Sequence, residues 1–161
     1  DEDLMKVVIY LSKKIIKIYN KNIKEADLES LINRGEAFNK FVEMVEAHGG
    51  SIADFERKSY SKPKYRLTVK SKSDGYINSF QTKKIGELLS YLGSGRLNND
   101  DGIDNYSGLR VLKKISHEVT RNEPVLEFYC SSEKKINNLD SNVVDLFGVS
   151  SEKTAKPKLI Y

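Results

Sequence analysis

The sequence predicts an α+β protein, a helical segment followed by a compact β-rich unit, on three observations. Apolar residues recur at helical spacing through roughly the first 48 positions. The texture breaks at Gly49-Gly50 and again at Pro63. Beyond Pro63, short stretches such as "KYRLTVKS" alternate apolar and polar side chains, as half-buried strands do.

Residues 2–20 read as a helix. Leu4, Val7, Val8, Leu11, Ile15, Ile18 and Tyr19 recur at helical spacing, with Lys13, Lys14 and Lys17 on the other side. The acidic start and lysine-rich end suit the helix dipole. Two more helices follow, at about 24–32 and 35–47. In the second, Phe38, Phe41, Val42 and Val45 point inward by spacing, and Gly49-Gly50 stops it.

Residues 51–63 are irregular. In "KYRLTVKS", Tyr65, Leu67 and Val69 face one way from a strand; "SDG" (73–75) turns and "YINSF" is a second strand. "TKKIGELLSYLG" (82–93) is a helix with Ile85, Leu88, Leu89 and Leu92 on one face. "GLRVLKKI" and "PVLEFYC" are strands joined through "SHEVTRNE". "KKINNLDSNVVDLFG" (134–148) reads as a helix burying Ile136, Leu139, Val143 and Leu146, and "KPKLIY" as a closing strand. Three helices therefore come first, followed by a compact unit of strands and helices.

The 161 residues suit one domain, or one domain with a piece of another. Hydrophobic content of 39% and charged content of 31% are ordinary for a soluble protein. Runs such as "VVIYL" are too short to cross a bilayer, so no membrane partner is expected. The acidic start "DEDLMK" has no signal-peptide pattern, and a first residue other than Met suggests a start partway through something longer. A single cysteine, Cys130, excludes an internal disulfide and a multi-cysteine zinc site. It reads as a core or edge thiol, and a cytoplasmic location fits best.

The net charge of +4 is concentrated. Residues 49–72 carry Arg57, Lys58, Lys62, Lys64, Arg66, Lys70 and Lys72 against Asp54 and Glu56. Tyr60 and Tyr65 interleave with the cations, a pattern that can hold nucleic acid. A solvated linker running into a strand explains the same residues, and no nucleic-acid partner is expected.

The loop "YLGSGRLNNDDGID" (91–104) holds the candidate site residues Gly93, Gly95, Arg96 and Asp104. The glycines follow a helix rather than lead one, so Gly93 or Gly95 supplies a left-handed residue that ends it. Arg96 has two readings: an ion pair to Asp104 or Asp101 that fastens the loop, or an edge that closes over a cleft. Asp100, Asp101 and Asp104 lack the spacing of a calcium loop and its terminal Glu, so no metal is expected. His117 beside Ser116 has no acid spaced to complete a triad and reads as a surface turn.

Two stretches together carry a family resemblance. "RGEAFNKFVEMVEAHGG" (34–50) resembles the helix of pyrimidine-nucleoside and thymidine phosphorylases that reads Gly-x-Ala-x-x-x-Phe-x-x-Met-Val-x-x-x-Gly-Gly. "SDGYINSF…IGELLSYLGSGR…DDGIDNYSGLRVLKKISHEVTRNEPVLEFY" (73–129) resembles their C-terminal domain, with Gly-Tyr-Val, Leu-Gly-x-Gly-Arg, Ile-Asp, a Gly before a Lys-rich strand, and Glu-Pro-Leu in order. The resemblance implies that residues 1–48 are the last helices of the central phosphate-binding α/β domain, 49–63 a linker, and 64–161 an α/β-hammerhead C-terminal domain.

It further implies a parent enzyme, a pentosyltransferase, that splits pyrimidine nucleosides with phosphate to give base and pentose 1-phosphate. Phosphate is then a co-substrate of the parent, and no cofactor belongs to this segment. The family's phosphate-holding Lys-His-Ser segment and its base-holding Arg and Lys have no counterpart in these residues. The implied role here is one wall of the cleft and domain closure, without catalytic or substrate-binding groups. The partner implied is the rest of a phosphorylase chain, in a homodimeric parent. His48-Gly49-Gly50 matches the glycine pair that ends a helix, whose carbonyls and negative dipole end repel phosphate. The family often has Gly-Asp where this chain has Ser116-His117, and Gly where it has Asn122, which tolerates left-handed geometry. An alternative is a non-catalytic module, either biotinyl/lipoyl-like, which "DGYI…EVTRNEPVLEFY" also resembles, or nucleic-acid-binding.

Overall fold

A computed structural model describes residues 1–53, 62–96, 102–139, 143 and 145–160. It divides into two units, Asp1–Tyr60 with Lys158–Tyr161, and Ser61–Pro157.

The first unit holds α1 (Glu2–Ile18), α2 (Glu25–Asn33) and α3 (Glu36–Ala47). Asp1 caps α1, its carboxylate accepting from the Asp3 and Leu4 N–H groups, both at 3.0 Å. Lys13 on α1 pairs with Glu25 at the start of α2 at 2.6 Å. Gly49, at φ +76°, and Gly50 close α3 by donating their N–H groups to Glu46 and Val45.

The helices lie where the periodicity puts them, but the faces differ from expectation. Ile9 of α1 and Leu28 of α2 are buried, whereas Leu4, Val8, Leu11, Ile15 and Ile18 are exposed. Phe38 and Phe41, expected inward, are also exposed. Among the described elements, α1 and α3 each pack on α2, and one helix neighbour covers only one side of a helix.

The second unit carries β1 (Tyr65–Lys70), β2 (Gly75–Phe80), α4 (Thr82–Leu92), β3 (Gly108–Val111), β4 (Glu118–Val119), β5 (Pro124–Cys130), α5 (Glu133–Asn137) and β6 (Phe147–Ser150). Two antiparallel sheets form, with orders β1-β5-β3 and β4-β2-β6. β5 lies between β1 and β3, and its residues Val125 on one face and Leu126, Phe128 and Cys130 on the other are all fully buried. Helical-face residues Ile85 and Leu92 join Ile77, Val119, Leu139 and Leu146 in the same core. Burying each such side chain contributes roughly 1.5–3 kcal/mol.

β1 and β2 belong to different sheets, so the Ser71–Asp74 turn is a corner rather than a hairpin. Ser71 is buried at this corner. Its N–H donates to Glu123, its carbonyl accepts from Asn122, and its hydroxyl donates to the Ser73 carbonyl at 2.6 Å. Gly75 follows with φ +143°; a Cβ there would lie 2.3 Å from the Ser150 carbonyl oxygen. The fold class is therefore α+β, as the sequence predicts.

Two element expectations are corrected. The helix expected over 134–148 spans only Glu133–Asn137, and Phe147 opens β6 instead. Pairing with β2 decides this: Phe147 lies opposite Phe80, and Asp145 just before it is left-handed, φ +62°. The closing strand expected in "KPKLIY" is absent from its described residues, 156–160. Pro157 has no N–H to give a ladder, and β2 already has β4 on one edge and β6 on the other.

Candidate functional site

The loop after α4 is assembled around Asp104. Gly93 ends the helix at φ +114°, ψ +9°. Its N–H and that of Ser94 return to the Leu89 carbonyl at 3.1 and 2.9 Å, closing the last turn. The Asp104 N–H then donates to the Gly93 carbonyl at 2.9 Å. A Cβ on Gly93 would sit 2.8 Å from the Asp104 Cβ, so a glycine is required for both the dihedral and the approach. Gly95 packs beside Ser90, where a Cβ would come within 3.1 Å of the hydroxyl.

The Asp104 carboxylate accepts three hydrogen bonds. Oδ1 accepts from the Tyr106 N–H at 3.0 Å and from the Ser131 hydroxyl at 2.9 Å; Oδ2 accepts from the Ser131 N–H at 2.7 Å. Burial pushes its pKa up. The Ser131 and Tyr106 N–H groups, the Ser131 hydroxyl and the Lys135 charge outweigh that and hold it below the ordinary carboxylate value. Lys135 also lies 5.9 Å from the Tyr91 ring centroid, and the Asn138 side chain donates to the Tyr91 hydroxyl at 3.2 Å, so α5 is tied to α4. A second bridge joins the Ser94 and Ser107 hydroxyls at 2.8 Å. A carboxylate that holds the Tyr106 and Ser131 N–H groups and the Ser131 hydroxyl at once acts as a clamp between the loop and the end of β5.

Arg96 is exposed, and among the described residues it forms no ion pair with Asp104. The Tyr106 and Ser131 groups hold the Asp104 carboxylate instead. The other partner expected for Arg96, Asp101, lies outside the described residues, as does Asp100. Among the described residues no group of three or more His, Cys, Asp or Glu side chains converges on a metal-sized site.

The other singled-out residues are placed as follows. His48 is exposed at the end of α3, its Nδ1 2.7 Å from the Met44 carbonyl oxygen. Cys130 is buried and its thiol donates to the Ser132 carbonyl at 3.1 Å; burial raises its pKa. His117 is half-buried in a turn whose preceding residue, Ser116, has φ +76°. Asn122 has φ +68°. Both are positions where the resemblance expects glycine. The turn between β4 and β5 carries Arg121 and Asn122 rather than the lysine a carrier module needs. Of the basic stretch, Arg57, Lys58 and Tyr60 lie outside the described residues. Arg66 pairs with Glu127 at 3.5 Å and Lys72 with Asp145 at 3.6 Å. Among the described residues no helix is long and apolar enough to cross a membrane.

Sequence reasoning missed Ser131 and Lys135. Ser131 is 27 positions from Asp104, and no local pattern links the two.

Residues 76–148 match the family described as "Pyrimidine nucleoside phosphorylase C-terminal domain". This range contains Gly93, Gly95, Arg96 and Asp104. The chain is similar to a pyrimidine-nucleoside phosphorylase of Bacillus subtilis, with 29% identity over 99% of this chain and 38% of that protein. It is also similar to a thymidine phosphorylase of Rhizobium meliloti, with 29% identity over 98% of this chain and 37% of the relative. A thymidine phosphorylase of Mycoplasma genitalium is 30% identical over 81% of this chain and 31% of its own length. The chain thus spans 31–38% of the length of these relatives.

Proposed function

We propose, from the match of residues 76–148 to the family described as "Pyrimidine nucleoside phosphorylase C-terminal domain", that this chain serves as the C-terminal part of a pyrimidine-nucleoside or thymidine phosphorylase. The parent would be a pentosyltransferase, in which phosphate displaces the base from a pyrimidine nucleoside and pentose 1-phosphate is released. The observation that carries this reading is similarity running through 99% of the chain to one such enzyme, across both structural units. The β-rich unit then corresponds to the α/β-hammerhead domain and the helices to the end of the phosphate-binding domain.

The segment's own part is mechanical. Phosphorolysis needs donors around the phosphate and groups that stabilise charge on the departing base. The clamped Asp104 and the exposed Arg96 supply neither as a set, so the segment's role is to form a cleft wall and to exclude water on closure. A cytoplasmic location is supported by one buried, unpaired thiol. The test is to incubate the pure chain with thymidine or uridine and phosphate. No pentose 1-phosphate is expected from the chain alone; its formation would place the catalytic groups here and overturn the assignment of roles.

A further inference from the structure

The chain reverses at the end of α1. Asn20 is left-handed, φ +55°, and the Lys21 N–H returns to the Ile16 carbonyl at 3.4 Å. Lys21 and Ile23 are thereby folded back beside the last turns of the helix. There they line, with Tyr10, Lys13, Lys14 and Lys17, a hollow of about 260 Å³. That is roughly nine times the liquid volume of one water molecule.

Four lysines share this hollow, and one carboxylate answers them: Glu25, 2.6 Å from Lys13. Lys14 lies 5.2 Å from the Tyr10 ring centroid. Among the described residues Lys14, Lys17 and Lys21 form no ion pair. Lys13 and Lys17 are like charges four apart, an arrangement that an isolated helix disfavours. Both fall on the side of α1 away from the apolar seam of Leu4, Val8, Leu11, Ile15 and Ile18. A multivalent anion removes the repulsion. Lys13 and Lys17 are about 6 Å apart along the axis, and Lys21 follows beyond the helix end. An elongated anion therefore reaches more ammonium groups than a compact one.

We propose that this hollow binds linked phosphates: the di- or triphosphate group of a nucleotide, or inorganic polyphosphate. Ammonium groups hold phosphate oxygens by charge-assisted hydrogen bonds. Linked phosphates spread several negative charges along one chain, as the lysines spread theirs; orthophosphate gathers its charge at one point. The site needs no nucleoside turnover, so it stands or falls separately from the phosphorylase reading.

The test is isothermal titration calorimetry of the whole chain with sodium triphosphate, at low salt and without magnesium. Saturable one-to-one binding is expected, weakening as salt is raised. Lys17→Gln with Lys21→Gln weakens it by about tenfold or more. Glutamine keeps the helix propensity of lysine. Lys21→Gln alone, beyond the end of α1, weakens binding several-fold and guards against damage to the helix, which circular dichroism would reveal. Lys83→Gln on α4 makes the same charge change in the other unit and leaves binding unchanged. ATP binding more tightly than triphosphate identifies the ligand as a nucleotide, and equal or weaker binding identifies it as polyphosphate; either upholds the site. Four results overturn the proposal: no saturable binding, binding indifferent to the lysine variants, orthophosphate or citrate binding as tightly as triphosphate, or a single-stranded oligothymidylate binding more tightly through the same lysines.

Discussion

Asp104 and Ser131 are joined twice: the Ser131 N–H donates to Oδ2 at 2.7 Å and its hydroxyl to Oδ1 at 2.9 Å. The pair ties the loop that follows α4 to the end of β5, the central strand of its sheet. Ser131 directly follows the buried Cys130, so the clamp is anchored in the core.

Asp104→Asn keeps the shape but replaces one acceptor oxygen with a donor facing N–H and O–H donors. A loss of roughly 1–3 kcal/mol in unfolding free energy is expected, measured by urea denaturation. Ser131→Ala, which spares the backbone bond, should cost less. Equal losses for the two would show that the hydroxyl carries the whole clamp.

Gly93→Ala places a Cβ 2.8 Å from that of Asp104 and forces an L-residue to φ +114°. The cost should exceed about 1–2 kcal/mol. Gly102→Ala, open within 4 Å, should cost far less. A thermal scan of both variants checks this, and similar melting temperatures would refute the close-approach argument.

Ser116→Gly should stabilise the protein. An L-residue in the left-handed region costs about 1–2 kcal/mol, and the extra unfolded-state freedom of glycine returns about 0.5–1 of that. A net gain of roughly 0.5 kcal/mol in urea midpoints is the expectation. Asn122→Gly, starting from a residue that tolerates this geometry, should be nearly neutral. A destabilised Ser116→Gly would mean that the buried serine side chain contributes more than its backbone costs.

Acid should loosen the second unit. Asp104 is held below the ordinary carboxylate value, as is Glu123, mainly through the Lys113 side chain 2.5 Å away and the Thr120 N–H. A lowered folded pKa means the unfolded state binds protons first. The stabilisation is complete above the ordinary carboxylate range, about pH 4, and disappears as pH falls through the folded values. Unfolding free energy measured from pH 6 to pH 2 should fall, and fall less in Asp104→Asn. An unchanged slope in that variant would remove Asp104 from the account.

Cys130 should resist alkylation. Burial raises its pKa, and only the thiolate reacts. Iodoacetamide at pH 8 should label it only after denaturant is added. Rapid labelling of the native chain would show that β5 opens locally.

The helical and strand elements were legible wherever an amphipathic period ran unopposed, as in α1, α4 and β5. That Gly93 or Gly95 ends the helix was legible too, because few residues but glycine take a left-handed dihedral; the structure assigns the role to Gly93. The short β4 was not, since two residues show no alternation. The stretch from 134 to 148 misled for a related reason. Ile136, Leu139 and Leu146 are buried as a helical period suggests, but they reach the core from a one-turn helix, an ensuing loop and the approach to a strand.

Local sequence therefore determined what each segment wants: its period, its caps, a left-handed residue at Gly93 or Gly95 and another at Asn122, and the family motifs spread along it. Only the tertiary structure decided which groups meet. It joined Asp104 to Ser131 across 27 positions rather than to Arg96, split β1 and β2 between sheets, and left the apolar seam of α1 facing outward. The physical reason is that propensity and pattern act over a few residues, whereas hydrogen-bond partners and buried faces are chosen by whatever the folded chain brings within reach.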